Sequence, residues 1–151
     1  MTGLARLEVA VWEAQRHAVA LTGALVDWVP VQHLSLEEIE RDQTVVRLLD
    51  QILYRFTKLQ DALGERLIPA TLAALSEPFE DWPVRDRLNR LEKLGYLEVD
   101  DWLRWREVRN RLAHEYPDAP DLRLAALKAG IAAAEELLAA WRRWRQRLAL
   151  A

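Results

Sequence analysis

Residues Trp102 to Pro117, WLRWREVRNRLAHEYP, hold nearly everything in this chain that bears on function, and they read as a helix. Asp100 and Asp101 supply an N-cap and negative charge for the positive end of the helix dipole. Glu107, Arg111 and Leu112 are good helix formers, and no Gly or Pro interrupts them. Pro117 closes the stretch, because the residue before a proline is pushed out of the right-handed helical region. On such a helix Trp102, Trp105, Arg109, Leu112 and Tyr116 share one stripe. Arg109 therefore stands where the pattern calls for an apolar residue. Asn110 and His114, four apart on a neighbouring stripe, can touch. Arg109 and His114 are five apart, roughly 140° around an ideal helix. They can act on one atom only through the reach of the arginine, a frayed last turn, or a second copy of the helix.

The sequence on either side is helical too. Leu4, Leu7, Val11, Ala14, Ala18, Leu21, Leu25 and Trp28 alternate steps of three and four, the seam of a first long helix over 3–28 that Pro30 ends. His17 lies off that seam and reads as exposed. Ser35-Leu36-Glu37-Glu38 is a capping box opening a second helix that runs to about Leu63, with Ile39, Val46, Leu49, Leu53, Phe56 and Leu63 on its buried face and Gly64 as a stop or kink. A short helix is expected over 66–76. Another is expected over 82–94, with Asp81 as N-cap, Pro83 in its first turn and Gly95 at its end. A last helix covers about 121–148 on a seam from Leu124 to Leu148, where Gly130 permits close packing. The expected fold is all-α: one domain over 1–151, an antiparallel up-and-down four-helix core with short extra helices.

Composition narrows the function. There are no cysteines, hence neither a disulfide framework nor a thiolate metal site, which fits a reducing cytoplasm. Arg6, Glu8 and Glu13 are incompatible with a signal peptide in the first turns. No run approaches the roughly 18 apolar residues of a membrane span. The net charge of −3 argues against coating of long nucleic acids while leaving room for a small basic site. Seven tryptophans are many for this length, so some are expected at an interface as well as in the core. The basic, aromatic Trp141-Arg142-Arg143-Trp144-Arg145-Gln146-Arg147 reads better as a helix end with packed indoles than as a nucleic-acid surface. No glycine-rich phosphate loop and no histidine pair at metal-ligand spacing occurs, so neither a metal nor a cofactor is expected.

Taken singly, each polar residue of the motif has a structural reading: an interface ion pair for Arg109, a favourable helix-dipole contact for His114, solvation for Asn110, a packed ring for Tyr116. Taken together, Arg109-Asn110-x-x-x-His114-x-Tyr116 resembles the RNxxxHxY signature of HepT-like toxins of the HEPN superfamily. Tyr54-Arg55-Phe56-Thr57-Lys58-Leu59-Gln60-Asp61 and Arg87-Leu88-Asn89-Arg90-Leu91-Glu92-Lys93-Leu94-Gly95 also look like segments of such proteins, and the resemblance spans roughly residues 35–140. It implies a HEPN-type bundle, a homodimer in which two motifs meet, and a metal-independent endoribonuclease toxin with Arg109, Asn110 and His114 as catalytic residues. It further implies a neighbouring minimal nucleotidyltransferase (MNT-type) antitoxin that AMPylates Tyr116, and a face carrying Arg55, Lys58 and Asp61 that lines the cleft.

The chemistry suits those residue types. RNA carries its own nucleophile, the 2′-hydroxyl. His114 can move protons near neutral pH, the planar Arg109 fork can hold two phosphate oxygens, and Asn110 can orient the histidine or bind a phosphate oxygen. The product would be a 2′,3′-cyclic phosphate, and DNA would be inert. The alternative, from a different class, is a non-catalytic helical interaction module or a binding partner of the nucleotidyltransferase, in which Arg109 and His114 hold an interface.

Overall fold

Every segment with a three-to-four apolar period forms a helix, and a computed structural model describes residues 2–150 (of Leu150, the backbone alone) as an all-α helical bundle with no strand among them. The order is α1 (Gly3–Trp28), a 3-10 turn (Val29–Val31), α2 (Leu36–Arg41), α3 (Gln43–Ala62), a π-helical turn (Leu63–Leu67), α4 (Ile68–Ala74), α5 (Val84–Lys93), α6 (Val99–Arg111) and α7 (Pro120–Leu150). No helix of the described residues is long and apolar enough to cross a membrane.

Individual contacts fix the helix directions. Gly3 lies against Ala73, Glu13 binds Arg66 and His17 meets Arg55, so α1 runs antiparallel to α3 and α4. Asp61 binds Arg109 while Gly64 approaches Trp102, which sets α6 antiparallel to α3. Leu112 packs near Gly130 and Arg104 reaches Glu136, so α7 returns antiparallel to α6. The chain thus goes up, down, up, down through α1, α3, α6 and α7. α3 and α7 touch each other and separate α1 from α6.

The core forms one cluster in which Leu21, Ile52, Phe56, Leu59, Leu137, Trp141 and Trp144 are each 1% exposed or less. Both C-terminal indoles keep their N–H satisfied: Trp141 Nε1 donates to Gln15 Oε1 at 3.1 Å and Trp144 Nε1 to Thr71 Oγ1 at 3.1 Å. A buried indole N–H needs such a partner. The basic, aromatic C-terminal segment is therefore a packed helix end, with Arg142, Arg143, Arg145 and Arg147 exposed around it.

Several boundaries differ from the sequence reading, each for a local reason. The capping box at Ser35 is present, but the helix it opens stops at Arg41. Asp42 adopts extended backbone, and its carboxylate accepts from Thr44 N and Val45 N at 3.0 and 3.3 Å, starting α3 afresh. α3 does end at Ala62, beside the expected Leu63, with a kink at Gly64. Gly64 sits in the π turn leading into α4, where a Cβ would come within 3.1 Å of Trp102 Cζ2; the glycine admits the indole. α5 starts at Val84 after Pro83, without an Asp81 side-chain cap, and ends as expected at Gly95, whose φ is +84°. At Gly130 a Cβ would lie 2.7 Å from Leu53 Cδ2, so the close packing expected there is present. His17 is not exposed but 8% accessible, packed against α3.

Candidate functional site

The helix carrying the motif is shorter than its sequence suggests. It begins after Glu98, not at Asp100 or Asp101; Val99 N donates to Glu92 Oε2 at 2.7 Å, and the two aspartates lie in the first turn. It ends at Arg111 rather than running to Pro117. The backbone then tightens: Ala113 N donates to Asn110 O at 3.3 Å and His114 N to Arg111 O at 3.0 Å. Such i to i+3 bonds are how a helix end uses up its last carbonyls. Tyr116 takes φ +49°, a left-handed conformation uncommon for a side chain of its size, immediately before Pro117. From α7, Arg123 holds the loop in place. Its Nη1 donates to Tyr116 O at 3.0 Å and Pro117 O at 3.1 Å, and its Nη2 pairs with Glu40 at 2.9 Å.

The motif is therefore divided between two kinds of structure. Arg109 and Asn110 stay on α6, whereas His114 and Tyr116 stand in the loop. Tyr116 and Arg109 do not share a helical stripe, and Asn110 and His114 are not successive turns of one helix. His114 is exposed, and its ring faces that of Tyr116, centroids 5.9 Å apart at 51°.

Arg109 is half-buried and held. Its Nε donates to Asp61 Oδ1 and its Nη2 to Asp61 Oδ2, each at 3.1 Å, a fork-to-carboxylate pair between α6 and α3. The two side chains are 37% and 32% exposed, so water screens the pair and its contribution to stability is modest. Its larger effect is geometric, because it fixes the direction of the guanidinium. Around it lies an open cleft of about 390 Å³ whose polar lining includes Asp61, Glu65, Arg87, Arg106, Arg109 and Asn110, over the ring of Trp102. His114 is not among its lining residues. Arg87 is already engaged, donating to the carbonyls of Trp82 and Glu80 and lying over the Phe79 ring at 5.0 Å.

Arg55 occupies a different place. Its Nη1 lies 2.9 Å from His17 Nδ1, and its guanidinium is 5.6 Å from the Tyr54 ring centre. Of the face carrying Arg55, Lys58 and Asp61, Asp61 is the residue that meets Arg109. For Arg55 to donate, His17 must present an unprotonated Nδ1. Burial, followed by the charges of Arg55 and Arg16, pushes the His17 pKa below its ordinary 6.5. Protonation then favours the unfolded chain. Stability is complete above the unfolded value and is lost as pH falls through about 6.5 toward the lower folded value. Wild type should lose more thermal stability between about pH 7 and pH 5 than His17→Gln, which keeps an acceptor but cannot titrate; melting curves at the two pH values check this.

Among the described residues no group of three or more His, Asp or Glu stands together as a cation site. Sequence reasoning did not find Arg123, the residue that shapes the loop, because an arginine near a helix start carries no local signal of the carbonyls it will meet. No protein-family model, no curated protein and no solved structure matches this chain.

Proposed function

We propose that the chain is a metal-independent endoribonuclease, the toxin of a HEPN/MNT toxin–antitoxin pair, working as a homodimer in the cytoplasm. In this reading Arg109 neutralises the phosphorane-like charge, His114 moves the proton of the 2′-hydroxyl or of the leaving oxygen, and Asn110 holds a phosphate oxygen. The nucleotidyltransferase antitoxin blocks the site by AMPylating Tyr116, setting a bulky anion beside His114.

One observation carries the reading. α6 ends between Asn110 and His114, which leaves an exposed imidazole on a pinned loop while an oriented guanidinium remains in a cleft. A buried ion-pair histidine would look different. His114 does not line the Arg109 cleft of its own chain, which favours a composite site: Arg109 of one protomer works with His114 of the other.

Mixing tests this directly. Arg109→Ala and His114→Ala are each expected to be inactive, yet their mixture, after subunit exchange, should recover about a quarter of wild-type activity, because half the dimers are mixed and each of those has one intact site. If both residues acted within one chain, mixing would restore nothing. Asp61→Asn should also lower kcat more than it raises KM, since Arg109 keeps its charge but loses its fixed direction.

The same ion pair favours a second reading. An arginine whose fork is filled by Asp61 is satisfied within the chain, as a purely structural residue would be. A non-catalytic helical interaction module, including a binding partner of the nucleotidyltransferase, would keep that pair and show no cleavage with any RNA.

A further inference from the structure

α1 is apolar on two faces. Its inner face, Ala10, Ala14, Ala18, Leu21 and Trp28, is in the core. Its outer face exposes Val9 (44%), Trp12 (64%), Val19 (61%) and Val26 (64%), with exposed Arg16 and Gly23 between them. These six follow steps of three and four, so they form one narrow outward stripe, the spacing of a helix-pairing seam.

Two members of the stripe have no explanation within one chain. Trp12 leaves a large apolar ring in water beside an open groove of about 780 Å³. Gly23 stands mid-helix with nothing within 4 Å of where a Cβ would be, so neither close packing nor a turn calls for glycine there. An alanine would make a better helix.

Each supplies what the other lacks once a second copy lies antiparallel. A two-fold axis midway between positions 17 and 18 carries each residue onto the one whose number completes 35. The stripe maps onto itself: Val9 faces Val26, Arg16 faces Val19, and Trp12 faces Gly23. The largest side chain meets the missing one, twice per pair. Arg16 can lie along the partner's Val19 through its stem while its head stays outward, where its guanidinium is already 5.9 Å from its own Trp12 ring centre. At 26 residues α1 is about 39 Å long, so the seam spans the bundle.

We propose that the outer face of α1 is a two-fold, antiparallel self-association surface in which Trp12 of one protomer packs on Gly23 of its partner. It is independent of the ribonuclease reading: α3 and α7 lie between α1 and α6, so this pairing leaves both motif faces free. Two such isologous surfaces on opposite sides would allow a closed tetramer.

The chain has no cysteine, so introduced ones report cleanly. Full-length Val9→Cys and Val26→Cys proteins, mixed and oxidised, should form a disulfide-linked heterodimer. Each alone should not, since two copies of either position would be about 25 Å apart along the seam. Gly23→Trp should weaken association in sedimentation equilibrium by about tenfold or more with its helix content intact, and Trp12→Ala added to Gly23→Trp should restore it by exchanging the large and small partners. Self-linking of either cysteine variant would overturn the antiparallel register. A monomeric wild type, or an association untouched by Gly23→Trp, would overturn the surface itself. None of these readings requires activity, so failure of the ribonuclease proposal leaves the test intact.

Discussion

His114→Ala is expected to lower RNA cleavage by about 10²–10⁴-fold, the usual contribution of a positioned proton-transfer group, while leaving the fold unchanged. The second half of that expectation follows from the structure. His114 is exposed and makes no packing contact in the core; its ring only faces Tyr116 across 5.9 Å. Truncating it opens no cavity and leaves no buried group unpaired, so the melting temperature should stay within the small range usual for surface changes. The combination is diagnostic. A residue that matters for catalysis and not for stability separates the enzyme from the interaction module, in which His114 has nothing to catalyse. Single-turnover cleavage and a thermal melt on the same preparation measure both halves.

Trp144→Ala is expected to be the most damaging single truncation for stability, at about 3–5 kcal/mol. Trp144 is 1% exposed, its ring lies 5.7 Å from that of Tyr96, and its N–H donates to Thr71, itself 0% exposed. Removal of the indole leaves a large cavity where α7 meets α4. Trp144→Phe should cost less, because it restores much of the volume and forfeits chiefly the hydrogen bond to Thr71. Urea unfolding of the two variants checks the order: Ala well below Phe, Phe below wild type. Equal losses would mean that the hydrogen bond, and not the packing, holds α7 in place.

The bundle was legible in the sequence because its signals are local and repeated. The seams of α1 and α7 and the Ser35 capping box act over a few residues, and each formed where its pattern stands. The features that were not legible share another cause. Gly64 marks the end of α3 as a stop or kink should, but the close approach it also permits is set by Trp102, distant in sequence. Asp42 looks like any helix-surface acid until it turns back to cap α3. α6 ends at Arg111, six residues before Pro117, and the loop that follows is held from α7 by Arg123, whose guanidinium collects the carbonyls of Tyr116 and Pro117. That early end matters for the site. A continuous helix would hold Arg109 and His114 roughly 140° apart, whereas the loop frees His114 from α6. The residue types of the motif were readable; their placement on helix and loop was not, because it depends on contacts across the fold.

The most direct measurement is cleavage of cellular RNA by the purified, unmodified protein in the presence of EDTA, with end-group analysis of the products and mass spectrometry at Tyr116. The proposal predicts cleavage that survives the chelator, fragments ending in 2′,3′-cyclic phosphate, and no cut at a 2′-deoxy position. Intact RNA from protein confirmed to be unmodified at Tyr116, or fragments bearing 3′-hydroxyl ends, would contradict it.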